Sequence, residues 1–305
     1  MDEAAVADLA ASHHVLYDPQ LVDNPDALHA ALADAHAIIV RNRTQVRADL
    51  LARAPHLQCV GRLGVGLDNI DVPACLARNI AVFPATGAND VAVAEYVIAT
   101  AMLLLRGAYS ATAAVSEGKW PRNALIGREI SGKCLGLVGF GAIARETALR
   151  ARVMGMEIVA HDPFVPDAHP VWARFQARKL PLKVLLAQAD VVSLHVPMTA
   201  ETRNLIDATT LADMKPDAVL INAARGGVVD EGAVAQALRA SRLGGAALDV
   251  FDHEPLDAGR GMLFAGCPNL ILPPHIAGVT RESNVRVSWL IAKTIAEHLA
   301  GVART

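Results

Sequence analysis

The sequence predicts an α/β fold in which one open, parallel-sheet domain is inserted into a second, smaller one. Two observations lead there. Short apolar strand patterns alternate with helical patterns along the whole chain, as βαβ units require. The alternation is also interrupted once, by the polar stretch SEGKWPRNALIGREISGK at 116–133, after which a second strand series begins. A length of 305 residues leaves room for about two domains.

The elements follow in order. MDEAAVADLA opens the chain as an acidic helix, with no strand before it. HVLYDP (14–19), AIIVRN (37–42), LQCVGRLG (57–64) and IAVFPA (80–85) are the strands expected in the first domain. DVAVAEYVIATAMLLLRGA (90–108) is a long helix with Asp90 as its cap. The second series comprises CLGLVGF (134–140), MEIVAHD (156–162), DVVSLHVP (190–197), AVLINAA (218–224), GAALDVF (245–251) and LILPPHIA (270–277). A final helix, about Arg281 to Leu299, returns to the first domain. The expected division is 1–93 for the first part of a flavodoxin-like substrate (lid) domain, 94–278 for the inserted domain, and 279–305 for the returning helix. In a parallel sheet of this size the first strand often lies centrally. The abrupt helical start therefore predicts either an unusual sheet edge or a natural start one strand earlier.

Composition narrows the function. With 28 basic and 31 acidic residues the formal net charge is −3, which argues against nucleic acid or an anionic membrane as the main partner. The longest apolar run, Tyr96 to Leu105, is ten residues, too short to span a bilayer. No basic n-region precedes an apolar segment at the start, so a cytoplasmic protein is expected. Cys59, Cys75, Cys134 and Cys267 form no C-x-x-C and are expected to be buried apolar residues in a reducing compartment, with no metal.

The stretch LGLVGFGAIARETA (135–148) carries the first chemistry. It is an apolar strand, then Gly139-x-Gly141-x-x-Ala144, then a helix. Gly139 suits a tight turn, Gly141 lets backbone approach a pyrophosphate, and a small third residue allows close helix–strand packing. The helix N-terminus supplies N–H groups to the phosphates. The next strand ends at Asp162, 21 residues after Gly141. An acid there accepts from ribose hydroxyls and repels a 2′-phosphate, which favours NAD over NADP. The inserted domain is thus read as a Rossmann-type NAD-binding domain.

Arg225, Glu254 and His275 follow three later strands, where open α/β sheets place ligands. A histidine with a neighbouring carboxylate is a workable proton donor and acceptor. An arginine clamps a carboxylate or polarises a carbonyl. Beside a nicotinamide the trio suits hydride transfer to and from a 2-hydroxy acid. Singly, each has a plain structural use as a loop cap, a solvated acid or an ion pair, and His253 competes with His275 on paper. A Rossmann-like methyltransferase leaves the trio unexplained. An NAD(H)-sensing scaffold needs only the glycine loop and Asp162.

The chain resembles the D-isomer-specific 2-hydroxyacid dehydrogenases over nearly its full length. The matching motifs are GRLGVGLDNID (61–71), AVAEYVIA (92–99), GLVGFGAIAR (136–145), DVVSLHVPMTAETRNLID (190–207), MKPDAVLINAARGGVVDEGA (214–233), GGAALDVFDHEPL (244–256) and PNLILPPHIAG (268–278). The resemblance implies that Arg225 binds the substrate carboxylate and carbonyl, that His275 is the general acid/base and that Glu254 orients it. His253 falls at a variable position. It further implies NAD contacts from Gly139, Gly141, Ala142, Ile143, Asp162, His195, Val196, Pro197, Ala223, Ala224, Arg225, Asp249 and His275. Asp249 would lie near the nicotinamide carboxamide, and the segment His195–Pro197 beneath adenine and ribose. Leu63, Gly64, Val65 and Gly66, after Arg62, match the loop that receives the substrate carboxylate. A cleft between the domains, hinged near 94 and 279, and a homodimer through the NAD-binding domain with helix 92–105 contributing, are implied as well. Two departures are Ala144 at the commoner third glycine and the strand that family members normally carry before Met1.

Arg41 and Arg43 end a strand of the first domain, Arg62 opens the carboxylate loop, and Lys119 and Arg122 flank Trp120. Since Arg225 already matches the carboxylate clamp, further arginines suit a second anionic group. VRNRTQV and VGRLGVGLDNID look closest to the 3-phosphoglycerate dehydrogenase branch, whose lid arginines meet a phosphate. The chain carries no C-terminal regulatory domain of the kind many of those enzymes have, so feedback through one is not expected. RNRTQV, ATGAN and ESN are also similar to chains assigned as (S)-sulfolactate dehydrogenases. A CH₂–SO₃⁻ group outranks a carboxylate, so the D-like 3-sulfolactate is the (S) isomer. 3-Sulfolactate is the first expectation, with D-3-phosphoglycerate, then glyoxylate, hydroxypyruvate or D-lactate, as alternatives. Arg43 has surface ion pairing as its plain use.

Overall fold

A computed structural model describes residues 1–302. The described chain forms two compact units, Met1–Asn89 with Val279 onward, and Asp90–Gly278. The first break therefore falls at the start of the long helix Asp90–Arg106, ahead of the 93/94 position expected from sequence. A helix is rigid through its hydrogen-bond ladder, so the chain divides before it and not inside its first turn. Asp90 is the first helical residue, not the cap; Asn89 precedes it.

The first unit is built on three parallel strands in the order β1 (Ala37–Val40), β2 (Cys59–Arg62), β3 (Ala81–Pro84). Side chains alternate across them, as strand geometry requires. Val40 and Val60 face a core with Leu32, Leu50, Leu51, Cys75 and Ile80, from helices Pro25–Leu32, Ala48–Ala52 and Val72–Ala77 and the start of β3. Cys59 and Ile39 face the opposite layer, where Val287, Ile291 and Ile295 of the helix Arg281–Val302 pack. That helix sits so close that a Cβ on Gly61 would lie 2.6 Å from Ile291 Cγ2. Its start is a reciprocal pair, with Ser283 Oγ accepting from Thr280 N–H at 2.8 Å and Thr280 Oγ1 from Ser283 N–H at 3.0 Å. The opening helix, Glu3–Ala10, is capped by Asp2 and buries Ala5 and Leu9 against Ala292.

The stretch HVLYDP forms no strand, which corrects the sequence expectation. A strand in a parallel sheet must bury both faces, and here Leu16 and Tyr17 stay exposed. Tyr17 instead accepts a hydrogen bond from the Met1 amine at 2.9 Å.

The second unit holds a seven-stranded parallel sheet, β4 (Cys134–Val138), β5 (Glu157–His161), β6 (Ala177–Lys179), β7 (Val191–Leu194), β8 (Val219–Asn222), β9 (Gly245–Leu248) and β10 (Leu270–Ile271). The order is β10-β9-β8-β7-β4-β5-β6. The chain reverses direction across the sheet between β4 and β7, the switch point where such folds bind ligands. Leu135, Leu137, Ile158 and Ala160 line one face under Val97, Ala101 and Leu104 of Asp90–Arg106. Val138, Val159, Leu194 and Leu220 line the other, with Leu185, Leu186 and Leu238. Sequence reading missed β6. It is a three-residue edge strand with Arg178 exposed, so it has no continuous apolar run.

Cys59 and Cys75 are buried, while Cys134 and Cys267 are half-buried, and all four are free thiols. Burial pushes the Cys59 thiol up to about 11, which keeps it protonated and inert. Among the described residues no single helix is long and apolar enough to cross a membrane, and no cluster of three His, Cys, Asp or Glu could hold a metal.

Candidate active site

The glycine loop follows β4 directly. Gly139 has φ +89° and a Cβ there would lie 2.4 Å from the His195 carbonyl oxygen. Only glycine satisfies both limits. At Gly141 nothing in the chain lies within 4 Å of the Cβ position, so its outer side is open to a ligand. The helix Ala142–Val153 begins at once. The amides of Gly141, Ala142 and Ile143 have no acceptor among the described residues. These are the orphan donors of a first helical turn, at its positive end. Ala144 is fully buried beneath them and Phe140 stacks on Trp172 at 4.8 Å.

Asp162 is anchored to that loop. Its Oδ2 accepts from Phe140 N–H and its Oδ1 from Phe164 N–H, both at 2.9 Å. Each oxygen keeps acceptor capacity for a sugar hydroxyl. Across the switch point His195 directly follows β7, with Nε2 and Ser193 Oγ 3.0 Å apart. By area His195 is half-buried, yet its ring lies deep enough that burial pushes its pKa down to about 4. The ring is neutral at pH 7. Val196 packs beside the glycine turn, where its Cγ1 would meet a Gly139 Cβ at 3.1 Å. The Pro197 carbonyl accepts from the Thr202 hydroxyl at 2.6 Å. Ala142, Ile143, Ala223 and Ala224 line the two strand ends with small or apolar side chains. A dinucleotide fits this set: donors for phosphate, an acid for ribose, and no Cβ where the backbone must be approached.

Arg225 is set by a residue that sequence reading passed over. Asn222, 1% exposed at the end of β8, donates through Nδ2 to the Arg225 carbonyl at 2.9 Å and accepts at Oδ1 from Ala224 N–H at 3.1 Å. An amide inside an apolar strand was the available signal, because a buried polar group must find partners. Arg225 Nη1 donates to the Ala224 carbonyl at 2.5 Å. The loop then meets its neighbour through Gly226, where a Cβ would fall 1.8 Å from the Phe251 carbonyl oxygen.

That contact places the loop of Glu254 beside Arg225. Glu254 Oε1 accepts from Phe251 N–H at 3.0 Å, and Oε2 lies 2.7 Å from His275 Nδ1. Burial raises the Glu254 pKa, but the hydrogen bonds from His275 and Phe251 and the charges of His275 and Arg225 outweigh it, leaving the carboxyl below its usual range. Glu254 is therefore ionised at neutral pH. Its contribution to stability is present above the ordinary carboxylate pKa and is lost as pH falls through the lowered value. With Nδ1 engaged, Nε2 is the ring nitrogen left for chemistry. His253 turns elsewhere, its Nε2 3.5 Å from Asp252 Oδ2.

His275 has φ +55°, an uncommon conformation for a side-chain-bearing residue. Asp249, 1% exposed, holds it there: Oδ1 accepts from Ile276 N–H and Oδ2 from Ala277 N–H, each at 2.8 Å. Burial raises the Asp249 pKa against the pull of those two bonds. Both of its oxygens are occupied by the histidine loop, a supporting duty that the sequence did not reveal.

The first unit carries the arginines. Asn69, 5% exposed, donates to the Arg41 carbonyl at 2.8 Å and the Thr44 carbonyl at 2.7 Å, and accepts from Arg62 Nε at 3.2 Å. Arg62 Nη1 donates to the Leu63 carbonyl at 2.8 Å. Arg41 is exposed and its guanidinium donates to Asn284 Oδ1. Arg43 forms an ion pair with Asp23, the plain use allowed for it above. Lys119 pairs with Glu117 at 2.8 Å. In the loop after Arg62, Leu63 N–H and Gly64 N–H are spent on Val40 and Arg62 carbonyls, each at 2.8 Å. The Leu63 side chain is buried in the core. The N–H groups of Val65 and Gly66 have no acceptor among the described residues, and the loop can offer both to a carboxylate.

Comparison with known proteins gives the family. Residues 98–277 match the family described as "D-isomer specific 2-hydroxyacid dehydrogenase, NAD binding domain". The chain is 55% identical over 295 residues to an (S)-sulfolactate dehydrogenase of Chromohalobacter salexigens, covering 97% of this chain and 94% of that protein. It is 41% identical over 266 residues to a D-3-phosphoglycerate dehydrogenase of Synechocystis sp., covering 87% of this chain but 47% of that enzyme, about half its length. Among solved structures, the D-lactate dehydrogenase of Aquifex aeolicus, complexed with NAD and lactic acid, superposes with a TM-score of 0.81 at 27% identity, covering 90% of this chain and 85% of that one. By the family match over residues 98–277 and the 55% identity over nearly the whole chain, the chain belongs to the D-isomer-specific 2-hydroxyacid dehydrogenases, NAD-dependent oxidoreductases that act on the CH–OH group of 2-hydroxy acids.

Proposed function

We propose that this dehydrogenase acts on a 2-hydroxy acid that carries a second anion on C3, with (S)-3-sulfolactate as the first substrate. The observation that carries the proposal is the joining of Arg41 and Arg62 through Asn69 into one network, while Arg43 is paired off with Asp23. The similarity to an (S)-sulfolactate dehydrogenase supports it. D-3-Phosphoglycerate has the same charge layout and is the second candidate.

NAD⁺, when bound, accepts the hydride that leaves C2. In oxidation His275 takes the hydroxyl proton at Nε2, and Glu254 at 2.7 Å from Nδ1 stabilises the imidazolium that forms. In reduction the imidazolium returns the proton to the carbonyl oxygen. Arg225, held by Asn222, binds the carboxylate and polarises the carbonyl. The amides of Val65 and Gly66 receive the carboxylate, and Arg41 and Arg62 receive the C3 anion. Asp162 would accept from the adenosine ribose, Gly139, Gly141, Ala142 and Ile143 would hold the pyrophosphate, and His195, Val196 and Pro197 would lie at the adenine end.

The test is initial-rate NAD⁺ reduction with racemic 3-sulfolactate, D-3-phosphoglycerate and D-lactate. A C3-anionic acid is expected to have the highest kcat/KM. Arg41→Ala and Arg62→Ala are expected to raise its KM by about tenfold or more, the cost of one charge-assisted contact, and Arg43→Ala by less than about twofold. A preference for D-lactate, unaltered by the arginine substitutions, would sink the substrate assignment and leave the dehydrogenase intact.

A cytoplasmic homodimer through the NAD-binding unit belongs to the same proposal. Tyr109, Trp120 and Ile126 are exposed there at 67, 78 and 80%. The adjoining helix spends Val93, Val97 and Leu104 on its own core, so the segment after it, more than the helix, offers the contact. Sedimentation equilibrium should give twice the chain mass, and Trp120→Asp a monomer; a monomeric wild type would refute it.

A further inference from the structure

Arg41 is oriented by a neutral partner in a place that favours a charged one. Its guanidinium donates to Asn284 Oδ1. Asn284 lies in the first turn of the helix Arg281–Val302, where a carboxylate is stabilised by the positive end of the helix dipole. The side chain is used there as an acceptor, and an isosteric carboxylate would serve that role with a stronger, charge-assisted bond. Both helix stability and the arginine contact would therefore gain from an acid at this position, yet the chain has an amide.

Arg43, Arg128 and Arg150 follow the opposite pattern, whereas Arg152 and Arg178 donate to Gln176 and Gln188 at helix C-terminal ends, where the dipole disfavours a carboxylate. Arg43 pairs with Asp23, Arg128 with Asp217 at 2.7 Å, and Arg150 with Glu146 at 2.5 Å. Those pairs cancel charge on the surface. At Asn69 the amide has a second reason, since its Nδ2 makes two donations that a carboxylate cannot make. No such donation is made by Asn284 among the described residues, so its neutrality is the informative feature.

We infer that Asn284 is a positioning and specificity residue: it fixes the direction of the Arg41 guanidinium while leaving its positive charge for the C3 anion of the substrate. This rests on the substrate proposal above. A carboxylate in place of Asn284 would occupy Arg41 and repel a sulfonate or phosphate; an amide does neither.

The experiment is steady-state kinetics of Asn284→Asp and Asn284→Leu in the full chain, with racemic 3-sulfolactate, D-3-phosphoglycerate and D-lactate. For the preferred C3-anionic acid, Asn284→Asp should raise KM at least about tenfold, with kcat within about twofold and the KM for D-lactate within about twofold. The rise should shrink at high ionic strength, because it is a charge effect. Asn284→Leu, which frees Arg41 without adding charge, should raise the same KM by less. Thermal melting of Asn284→Asp should be no lower than wild type, given the helix position. An unchanged KM ratio in Asn284→Asp overturns the inference, as does an equal loss of kcat on every substrate, which marks a structural role. If wild type itself has no preference for a C3-anionic acid over D-lactate, the substrate proposal has failed and the role of Asn284 falls with it; a wild-type preference with an indifferent variant isolates failure here.

Discussion

His275→Ala is expected to lower kcat by roughly 10²–10⁴, the usual size of a general acid–base contribution. NADH affinity, followed by fluorescence titration, should change by only a few-fold. The asymmetry follows from position: the ring meets Glu254 at 2.7 Å through one nitrogen, and its loop is held by the two amide bonds to Asp249, which do not involve the ring. Removing the imidazole thus takes away the proton carrier and leaves the phosphate and ribose contacts of the glycine loop in place. Turnover near the wild-type rate would show that another group moves the proton, and His253, turned toward Asp252, would have to be reconsidered.

The second large effect is expected at a residue with no side chain. Gly226→Ala puts a Cβ 1.8 Å from the Phe251 carbonyl oxygen and 2.2 Å from its carbon, far inside van der Waals contact and against backbone that cannot rotate away. Overpacking of this kind costs about 1–3 kcal/mol, or a fall in Tm of several degrees. The kinetic loss should exceed the loss of stability, because the two loops forced apart carry Arg225 and Glu254. A drop in kcat/KM of at least about 100-fold is expected, since displacements near 1 Å cost that much. Gly141→Ala is the matched control: its Cβ meets nothing within 4 Å, so Tm should hold while NADH binds more weakly. Wild-type kinetics in Gly226→Ala would mean that the two loops do not meet as described.

The parts of this protein legible in sequence are those where one physical demand selects a residue type. Apolar runs gave the central strands because both faces of a parallel sheet are buried; Gly139 stood out because the turn admits nothing else, and Gly141 because a phosphate needs its side left open. The edge strand β6 escaped, having no apolar run, and HVLYDP misled because β-prone residues do not make a strand without a burial site. Arg225, Glu254 and His275 were readable as a set through their places after strands and the family resemblance. Their supports were not. Asn222 and Asn69 act largely through contacts to backbone carbonyls of loops; a polar residue in an apolar strand marks Asn222 as needing partners, but not which loop it holds. Sequence reading set Arg43 apart from Arg41 as a surface ion pair, but it did not identify their partners: Asp23 for Arg43 and Asn284, distant in sequence, for Arg41.

The helix Arg281–Val302 has a consequence for synthesis. Ile291 and Ile295, 0 and 1% exposed, pack with Val287 at the centre of one layer of the first unit, and truncating such a residue to alanine costs about 2–5 kcal/mol. Until that helix leaves the ribosome, the β1–β3 sheet has a bare face with Ile39, Cys59 and Phe83 uncovered. At translation rates of about 5–20 residues per second, residues 90–278 take on the order of 10–40 s to appear. The contiguous second unit can fold in that interval, while the unit begun first must be completed last. Newly made first-unit chain is therefore the aggregation-prone stage of biogenesis, and the one where a holding chaperone would have something to bind.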